Sequence, residues 1–436
     1  MHDVLVHDLT HTWVGYLVLG IFVVGYYFIA TEEKFDINKA KPALFIGTFS
    51  FMLIGIYFAI NNLDPMPLHN QLEKLILEIA EIFFFLFVAM TYIESLIERG
   101  VFDALKYRLI SRGYSYKKLF WITGTIAFWI SPVADNLTTA LILSTVLYTI
   151  DKHNINFLVP GAINIVVAAN AGGAWSPFGD ITTLMAWTAG KGEFIDFLAL
   201  FPAAFIGWLI TAWLLSLFVP KGEPHFDALT TKKVEIKKGG KVIIFLGIFT
   251  IFIAVVGHIL FHFPAMWGMM FGLSILQLYL FYHKVKHKEH INIFVNMAKV
   301  ENDTLLFFFG ILSAVGALYF LGWLFYVTKL YEIIGSTFSN IGVGFISAII
   351  DNVPVMAAIL KANPNMPQSE WMLVTLTAGI GGSLISFGSA AGVGVMGRMR
   401  GIYTFSNHMK YAWTVLVGYI VSVVIWYVQF EILGIY

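Results

Sequence analysis

The chain has 436 residues, of which 58% are hydrophobic, 16% aromatic and only 12% charged. This composition is typical of a chain dissolved in lipid, so we expect a polytopic membrane protein whose main surroundings are the bilayer. The 27 basic residues balance the 27 acidic ones, which argues against a nucleic-acid partner. Because the chain has no cysteine, disulfides, zinc-thiolate sites and thiol nucleophiles are excluded.

Ordinary transmembrane helices are predicted wherever an apolar window is long enough for a ~20-residue span. Such windows lie near residues 13–30, 43–60, 75–96, 198–218, 242–262, 264–282, 304–327 and 411–430. No Lys or Arg precedes Trp13, so we expect the first window to be retained and not cleaved as a signal peptide.

Four longer apolar segments carry polar, Gly or Pro residues at their centres: 119–150, 158–190, 331–360 and 369–398. A straight helix of ~30 residues would be ~45 Å long, against a hydrocarbon core of ~30 Å. These segments must therefore tilt steeply, bend or break.

The distribution of Lys and Arg favours one arrangement of these segments. If 119–150 and 331–360 are re-entrant hairpins, and 158–190 and 369–398 cross with an unwound centre, most basic residues fall on one face. If both hairpins crossed instead, the basic residues would divide almost evenly. The positive-inside rule thus favours the hairpins. We predict a multi-pass protein of the cell (inner) membrane with both termini on the external side.

An internal duplication follows from this arrangement, because each half has five crossings, one of them a broken helix, and one re-entrant hairpin. Five is odd, so the second half enters the membrane from the opposite side and the repeats are inverted. The motif Ser-x-x-x-Asp-Asn at 131–136 recurs at 347–352, which supports the duplication. We assign residues 1–218 to the first repeat, 219–240 to a cytoplasmic connector and 241–436 to the second repeat.

The polar residues within the four interruptions form a candidate cation site. One ionised Asp at the bilayer centre costs ~2.5–3.5 kcal/mol, so two equivalent copies need a shared reason. The predicted cation- and proton-binding residues are Asp135, Asn136, Thr138, Asn170, Asp180, Thr182, Ser347, Asp351, Asn352, Ser386 and Ser389. Na⁺ itself is expected at Asp135, Asp351, Asn136 and Asn352. The predicted helix-breaking glycines are Gly172, Gly173, Gly381 and Gly382.

The chemistry of these groups points to ion exchange. The interruptions contain three carboxylates and no basic side chain, and oxygen ligands of this kind suit a small hard cation. If protons and Na⁺ compete for the same carboxylates, the site exchanges one for the other by alternating access without a cofactor. Glu78 and Glu81 are candidates for a proton path, or else lie among the headgroups.

Simpler explanations exist for the same residues. Either Asp-Asn pair could merely cap a helix, and Ser386 and Ser389 could serve close helix packing. The four glycines could also be packing residues.

Four stretches resemble the NhaD-type sodium:proton antiporters of the ion transporter superfamily. They are SPVADNLTTALIL at 131–143, NAGGAWSPFGDITTLMAW at 170–187, SAIIDNVPVMAAIL at 347–360 and GGSLISFGSAAGVGVMG at 381–397. The resemblance implies Na⁺ or Li⁺ efflux driven by the proton gradient, functional roles for the polar residues of these motifs, and a homodimer.

Two rival functions remain open at this stage. A dicarboxylate carrier could share the architecture, although three intramembrane Asp residues count against it. An arsenite-type exporter is the closer rival, because an acidic hairpin tip is compatible with proton-coupled release of a neutral species. An enzyme is not expected, since the spans contain no metal-binding His pair and no nucleophile-base constellation.

Overall fold

The computed structural model describes residues 8–35, 37–224, 234–289 and 292–435. Within these ranges the chain is helical and contains no strand. The first half contains α1 (Trp13–Ala30), α2 (Glu32–Phe35), α3 (Ala40–Ile60), α4 (Met66–Glu98), α5 (Val101–Ile110), α6 (Tyr116–Ala134), α7 (Asn136–Ile150), α8 (Ile155–Gly173), α9 (Ile181–Thr188), α10 (Phe194–Leu198) and α11 (Phe201–Ser216). The second half contains α12 (Gly240–Phe261), α13 (Ala265–His287), α14 (Ile293–Ala298), α15 (Asn302–Leu321), α16 (Phe325–Ile334), α17 (Ser336–Ile349), α18 (Asn352–Ala362), α19 (Gln368–Gly381), α20 (Ala390–Arg398), α21 (Phe405–Met409) and α22 (Ala412–Trp426), which continues as a π-helix over Tyr427–Ile432.

The membrane-spanning helices agree with the apolar windows. In the described part of the chain, nine helical stretches are long and apolar enough to cross a bilayer. Eight of them coincide with the eight predicted windows. The ninth is α8, the first arm of an interrupted segment. The prediction of a polytopic all-α membrane protein is therefore confirmed.

Two boundaries differ from the prediction. The window at 304–327 is too long, because Gly322 adopts a φ of 95° and ends α15 after Leu321. Only glycine adopts this conformation without steric cost, which makes it a common helix terminator. By contrast, α4 begins at Met66, well before the predicted residue 75. Polar residues in its first turns lower the mean hydropathy there, so the apolar window does not include them.

All four interrupted segments are broken where the polar residues cluster. The helix stops at Asp135 between α6 and α7, and over residues 174–180 between α8 and α9. In the second half it stops over residues 350–351 between α17 and α18, and over 382–389 between α19 and α20. Residues 225–233 of the predicted connector lie outside the described residues, and its described parts are not helical apart from Gly240, where α12 begins.

Each break ends in a polar N-cap. The side chains of Asp135, Asp180, Asp351 and Ser389 accept backbone N–H groups of the following half-helix at 2.8, 2.9, 3.5 and 3.2 Å, respectively. Helix capping is thus one role of the Asp residue in both Asp-Asn pairs. It also has an electrostatic consequence, because the first turn of a helix stabilises negative charge.

The glycines at the breaks permit close backbone contact. A Cβ on Gly172 would lie 2.3 Å from the carbonyl oxygen of Phe128 in α6, and a Cβ on Gly381 would lie 2.3 Å from that of Gly344 in α17. The next glycine in each half makes a similar close contact within the break. A Cβ on Gly173 would lie 2.5 Å from the carbonyl oxygen of Gly179, and a Cβ on Gly382 would lie 2.7 Å from that of Gly388. They are therefore packing glycines located at the breaks.

The helices pack in pairs that join the two halves. α3 packs on α15 and α11 on α22, whereas α6 packs on α8 and α17 on α19 within each half. The hydroxyl of Tyr116, at the start of α6, donates to a carboxylate oxygen of Asp151, just after α7, at 2.6 Å. The far ends of the first broken pair are therefore close together. In the second half, the hydroxyl of Thr328, in α16, donates to the carbonyl oxygen of Ala362, the last residue of α18, at 3.2 Å, so α18 ends beside the helix that precedes α17.

Candidate functional site

The Asp180 carboxylate lies where the two halves meet. Its Oδ2 accepts a hydrogen bond from Asn136 Nδ2 at 2.7 Å and from Asn352 Nδ2 at 3.3 Å. Its Oδ1 accepts from the backbone N–H and the hydroxyl of Thr182 at 2.9 and 3.0 Å. Asp180 is 3% exposed, so this charge is held by amide and hydroxyl donors in a buried place.

Asn170 extends the same network into the second half. Its Oδ1 accepts from Asn136 Nδ2 at 3.1 Å, and its own Nδ2 donates to the hydroxyls of Ser383 and Ser389 at 2.8 and 2.9 Å. The break after α8 is thereby bonded to the break after α19. The structure brings together Asn136, Asn170, Asp180, Thr182, Asn352 and Ser389 from the predicted set.

Asp135 is bonded within its own broken pair, α6 and α7. Its two carboxylate oxygens accept from the backbone N–H and the hydroxyl of Thr138, both at 2.8 Å. Its φ of 55° is uncommon for a residue other than glycine. The carboxylates of Glu301 and Asp180 lie within electrostatic range of Asp135. Sequence reasoning missed Glu301, which immediately precedes α15 and carries no motif.

Asp351 has a basic partner from outside the interruptions. Lys39, immediately before α3, places Nζ 3.0 Å from Asp351 Oδ2. The backbone N–H of Asp351 donates to the Tyr26 hydroxyl in α1 at 3.0 Å. The charged residues of the four interruptions are therefore not the only ones at the site, because Lys39 reaches it from a segment distant in sequence.

The serines of the site fall into two groups. Ser131 donates to the carbonyl oxygen of Ala169 at 2.6 Å, and Ser347 donates to that of Ala378 at 2.7 Å. The first bond joins α6 to α8 and the second joins α17 to α19, so the two bonds lie at corresponding places in the two halves. Ser386 is buried, and its hydroxyl has no hydrogen-bond partner among the described residues.

A cavity of about 540 Å³ opens onto Asp180 and Asn352, and we call it the Asp180 cavity. Five carboxylates and two basic side chains are among the described residues that line it: Glu32, Asp180, Glu301, Asp303 and Asp351, with Lys39 and Arg400. The lining of the cavity therefore carries a net negative charge. No group of three or more His, Asp or Glu side chains in the described residues has the geometry of a metal site. A cation here would need amide and hydroxyl oxygens as well as carboxylates.

A second cavity of about 200 Å³ lies at the other ends of α9 and α18, and we call it the Glu81 cavity. Met185, Thr188 and Ala189 line it from the α9 side, and Ala357, Leu360 and Lys361 from α18. Glu78 and Glu81 of α4 complete it, and the Lys361 ammonium is paired with the Glu78 carboxylate. Since α9 begins beside Asp180, the two short helices α9 and α18 separate the two cavities.

A polytopic helical protein with polar half-helix ends meeting inside it has the architecture of a secondary transporter. Residues 26–379 match the sequence model of a family described as CitMHS, citrate transporter. The chain is 42% identical to the Na(+)/H(+) antiporter NhaD of Vibrio cholerae serotype O1, over 96% of this chain and 92% of that protein. It is 43% identical to the Na(+)/H(+) antiporter NhaD of Alkalimonas amylolytica, over 96% and 91%. With sodium/proton antiporter 1 of Arabidopsis thaliana it shares 28% identity over 89% and 69%.

The chain therefore belongs to the family described as CitMHS, citrate transporter, and the resemblance to NhaD-type antiporters predicted from the four motifs is confirmed. Antiporters are transporters and not enzymes, so the prediction that the chain is not an enzyme is confirmed as well.

Proposed function

We propose that this chain is a secondary active transporter that exchanges Na⁺ or Li⁺ for H⁺ across the membrane. The observation that carries the proposal is the buried Asp180 carboxylate, which accepts hydrogen bonds from an Asn of each half, at 2.7 and 3.3 Å. A carboxylate at the junction of two half-helix pairs is a place where a bound cation affects both halves at once. The names of the NhaD relatives support the same exchange.

The charge of the Asp180 cavity supports a cation as the transported species. Five carboxylates against two basic side chains among its described lining repel a di- or tricarboxylate. They also give no particular advantage to neutral arsenite. The family description names citrate, and for this reason citrate belongs in the test beside the inorganic ions.

The two Asn side chains allow the site to serve both an empty and a loaded state. In the present structure Asn136 and Asn352 point their NH₂ groups at Asp180, which satisfies the carboxylate without a cation. An amide has an acceptor and a donor end, so rotation of either side chain offers Oδ1 to a cation. A cation bound by Asp180 and two amide oxygens would thus replace the hydrogen bonds that the NH₂ groups of Asn136 and Asn352 donate to Asp180.

Competition between H⁺ and Na⁺ for the same carboxylates then gives exchange. A carboxylate accepts either a proton or a hard cation, and a site that alternates between two faces exchanges them. We propose Asp180, Asn136 and Asn352 as the centre of the cation site. Asp135, Thr138, Ser347, Asp351 and Ser386 stay predicted members of it.

The architecture we propose for this exchange is a pair of inverted repeats, 1–218 and 241–436, joined by a cytoplasmic connector at 219–240. Two contacts support re-entrant hairpins: the one between the far ends of α6 and α7, at 2.6 Å, and the one between the end of α18 and α16, the helix that precedes α17, at 3.2 Å. The matching serine bonds and close glycine contacts in the two halves support the duplication. We also propose that both termini lie on the external side, that the protein resides in the inner membrane and that it forms a homodimer.

The test is dequenching of a pH-sensitive dye in proteoliposomes that contain the purified protein and an imposed proton gradient. We expect dequenching on addition of Na⁺ or Li⁺, and none with K⁺, arsenite or citrate. Empty liposomes control for leakage. A response to citrate or arsenite without one to Na⁺ would overturn the proposal.

A further inference from the structure

Lys39 lies within the acidic cavity and contacts the tip of the second hairpin. Its Nζ is 3.0 Å from Asp351 Oδ2 and 4.4 Å from the centre of the Phe307 ring. The Lys39 and Asp351 side chains are only 19% and 12% exposed. An ion pair with so little solvent around it is weakly screened. The contact connects the start of α3, in the first half, to the break between α17 and α18, in the second.

The surroundings of Lys39 are dominated by negative charge. The titratable or charged groups that line the two adjoining cavities around it are Tyr26 from α1, Glu32 from α2, Glu301 and Asp303 at the start of α15, Asp351 before α18, Asp180 before α9 and Arg400 after α20. The backbone N–H of Lys39 also donates to Glu32 Oε2 at 3.2 Å. The ammonium therefore neutralises part of a cluster that would otherwise attract cations from solution.

We propose that Lys39 is the resident counter-ion of Asp351 and that the transported cation must displace it to reach that carboxylate. This inference rests on the proposed exchange of Na⁺ for H⁺ at this cavity. An ammonium and Na⁺ carry the same charge, and both bind carboxylate oxygen. The two species therefore exclude each other at Asp351 while keeping its charge compensated.

A conformational consequence follows from the position of the pair. When Na⁺ displaces Lys39, the hairpin tip loses its direct ionic contact with α3. When Na⁺ leaves, the contact forms again. Binding of the ion is thus linked to the attachment of the second hairpin to the first half of the protein, because both depend on the same carboxylate.

Replacing Lys39 with Met removes the competitor and leaves a side chain of similar length. We expect the KM for Na⁺, measured at alkaline pH, to fall about tenfold or more. Protons gain the same advantage over the uncompensated carboxylate, so the pH of half-maximal exchange should move about one unit toward the alkaline side. Lys39→Arg keeps the charge and should stay near the unmodified protein in both measurements. Lys41→Met is the matched control, because this exposed lysine lies two positions further along and lines a neighbouring cavity.

A purely structural role for Lys39 predicts a different result. It would reduce the yield of folded protein or the maximal rate without shifting the KM or the pH profile. Lys39→Gln gives a second neutral variant if the Met protein does not fold. In an Asp351→Asn background, Lys39→Met should no longer change the concentration of NaCl that stabilises the detergent-solubilised protein against heat, because the two residues act through one contact.

The outcomes separate the two proposals. If the unmodified protein responds to Na⁺, and Lys39→Met and Lys39→Gln behave like Lys41→Met, the role of Lys39 is overturned and the exchange function stands. If the unmodified protein gives neither transport nor thermal stabilisation with Na⁺, both proposals fail. The displacement of Lys39 is supported by a lower KM with an alkaline shift in Lys39→Met, together with an unchanged stabilising NaCl concentration when Lys39→Met is added to Asp351→Asn.

Discussion

Substitution of Asp180 by Asn is the most direct perturbation of the proposed cation site. The change removes the buried charge and keeps the side-chain volume. At ~4 Å and an effective dielectric constant of ~20, the attraction between a monovalent cation and a carboxylate is about 4 kcal/mol. Other oxygens of the site offset part of this loss. We therefore expect the affinity for Na⁺ to fall by about 100-fold or more, since each ~1.4 kcal/mol is a factor of ten.

Asp180→Asn also introduces an NH₂ group among neighbours that donate hydrogen bonds. Both oxygens of Asp180 accept hydrogen bonds, from Asn136 and Asn352 on one side and from Thr182 on the other. The NH₂ group of Asn at this position would meet donors on whichever side it lies. A buried donor without a partner costs about 1–3 kcal/mol, so the variant should also unfold at a lower temperature without Na⁺.

Thermal unfolding in detergent measures both effects in one experiment. The unmodified protein should gain about 2.7 kcal/mol of stability when NaCl exceeds the Kd by about 100-fold, with choline chloride as the ionic-strength control. Asp180→Asn should show no such gain. Asp103→Asn, at an exposed position in the first turn of α5, should behave like the unmodified protein. Sodium-dependent stabilisation of Asp180→Asn at unchanged NaCl concentrations would refute the assignment of Asp180 to the cation site.

Two further predictions concern the architecture. The chain has no native cysteine, so single cysteines can be placed at Lys118, in the first turn of α6, and at Lys152, just after α7. Both should react with an impermeant maleimide from one face of the membrane, and labelling from opposite faces would contradict the hairpin. Gly381→Ala places a methyl group 2.3 Å from the carbonyl oxygen of Gly344 and should cost about 1–3 kcal/mol of stability, measured by heat unfolding. Gly342→Ala, where the methyl group would meet nothing within 4 Å, is its control, and equal melting temperatures for the two would rule out the close contact.

The breaks could be predicted from sequence because their cause is local. A carboxylate and an amide in the middle of an apolar segment are costly unless the helix ends there and offers backbone groups as partners. Asp135 and Asp351 are such residues, and both cap the half-helix that follows. Asp180 was predicted as a member of the cation site for the same reason, whereas its position between Asn136 and Asn352 was not.

The partner of Asp351 could not be predicted in this way. Lys39 belongs to a short polar segment between α1 and α3 that has the sequence of an ordinary loop. Its proximity to the second hairpin depends on the packing of α3 against α15, which no local pattern encodes. The same holds for Glu301. Local chemistry therefore predicts which residues need partners, whereas the tertiary fold decides which partners they find.

The shortness of α9 has an electrical consequence. It spans Ile181–Thr188, only 8 residues, and separates the Asp180 cavity from the Glu81 cavity. Such a helix is ~12 Å long, against a hydrocarbon layer of ~30 Å. In the proposed exchange the two cavities would open to opposite faces of the membrane, and water in them would concentrate the transmembrane voltage over that short distance. An ion that moved past α9 would then perform most of its electrical work, ~2.3 kcal/mol per charge at 100 mV, in one small displacement.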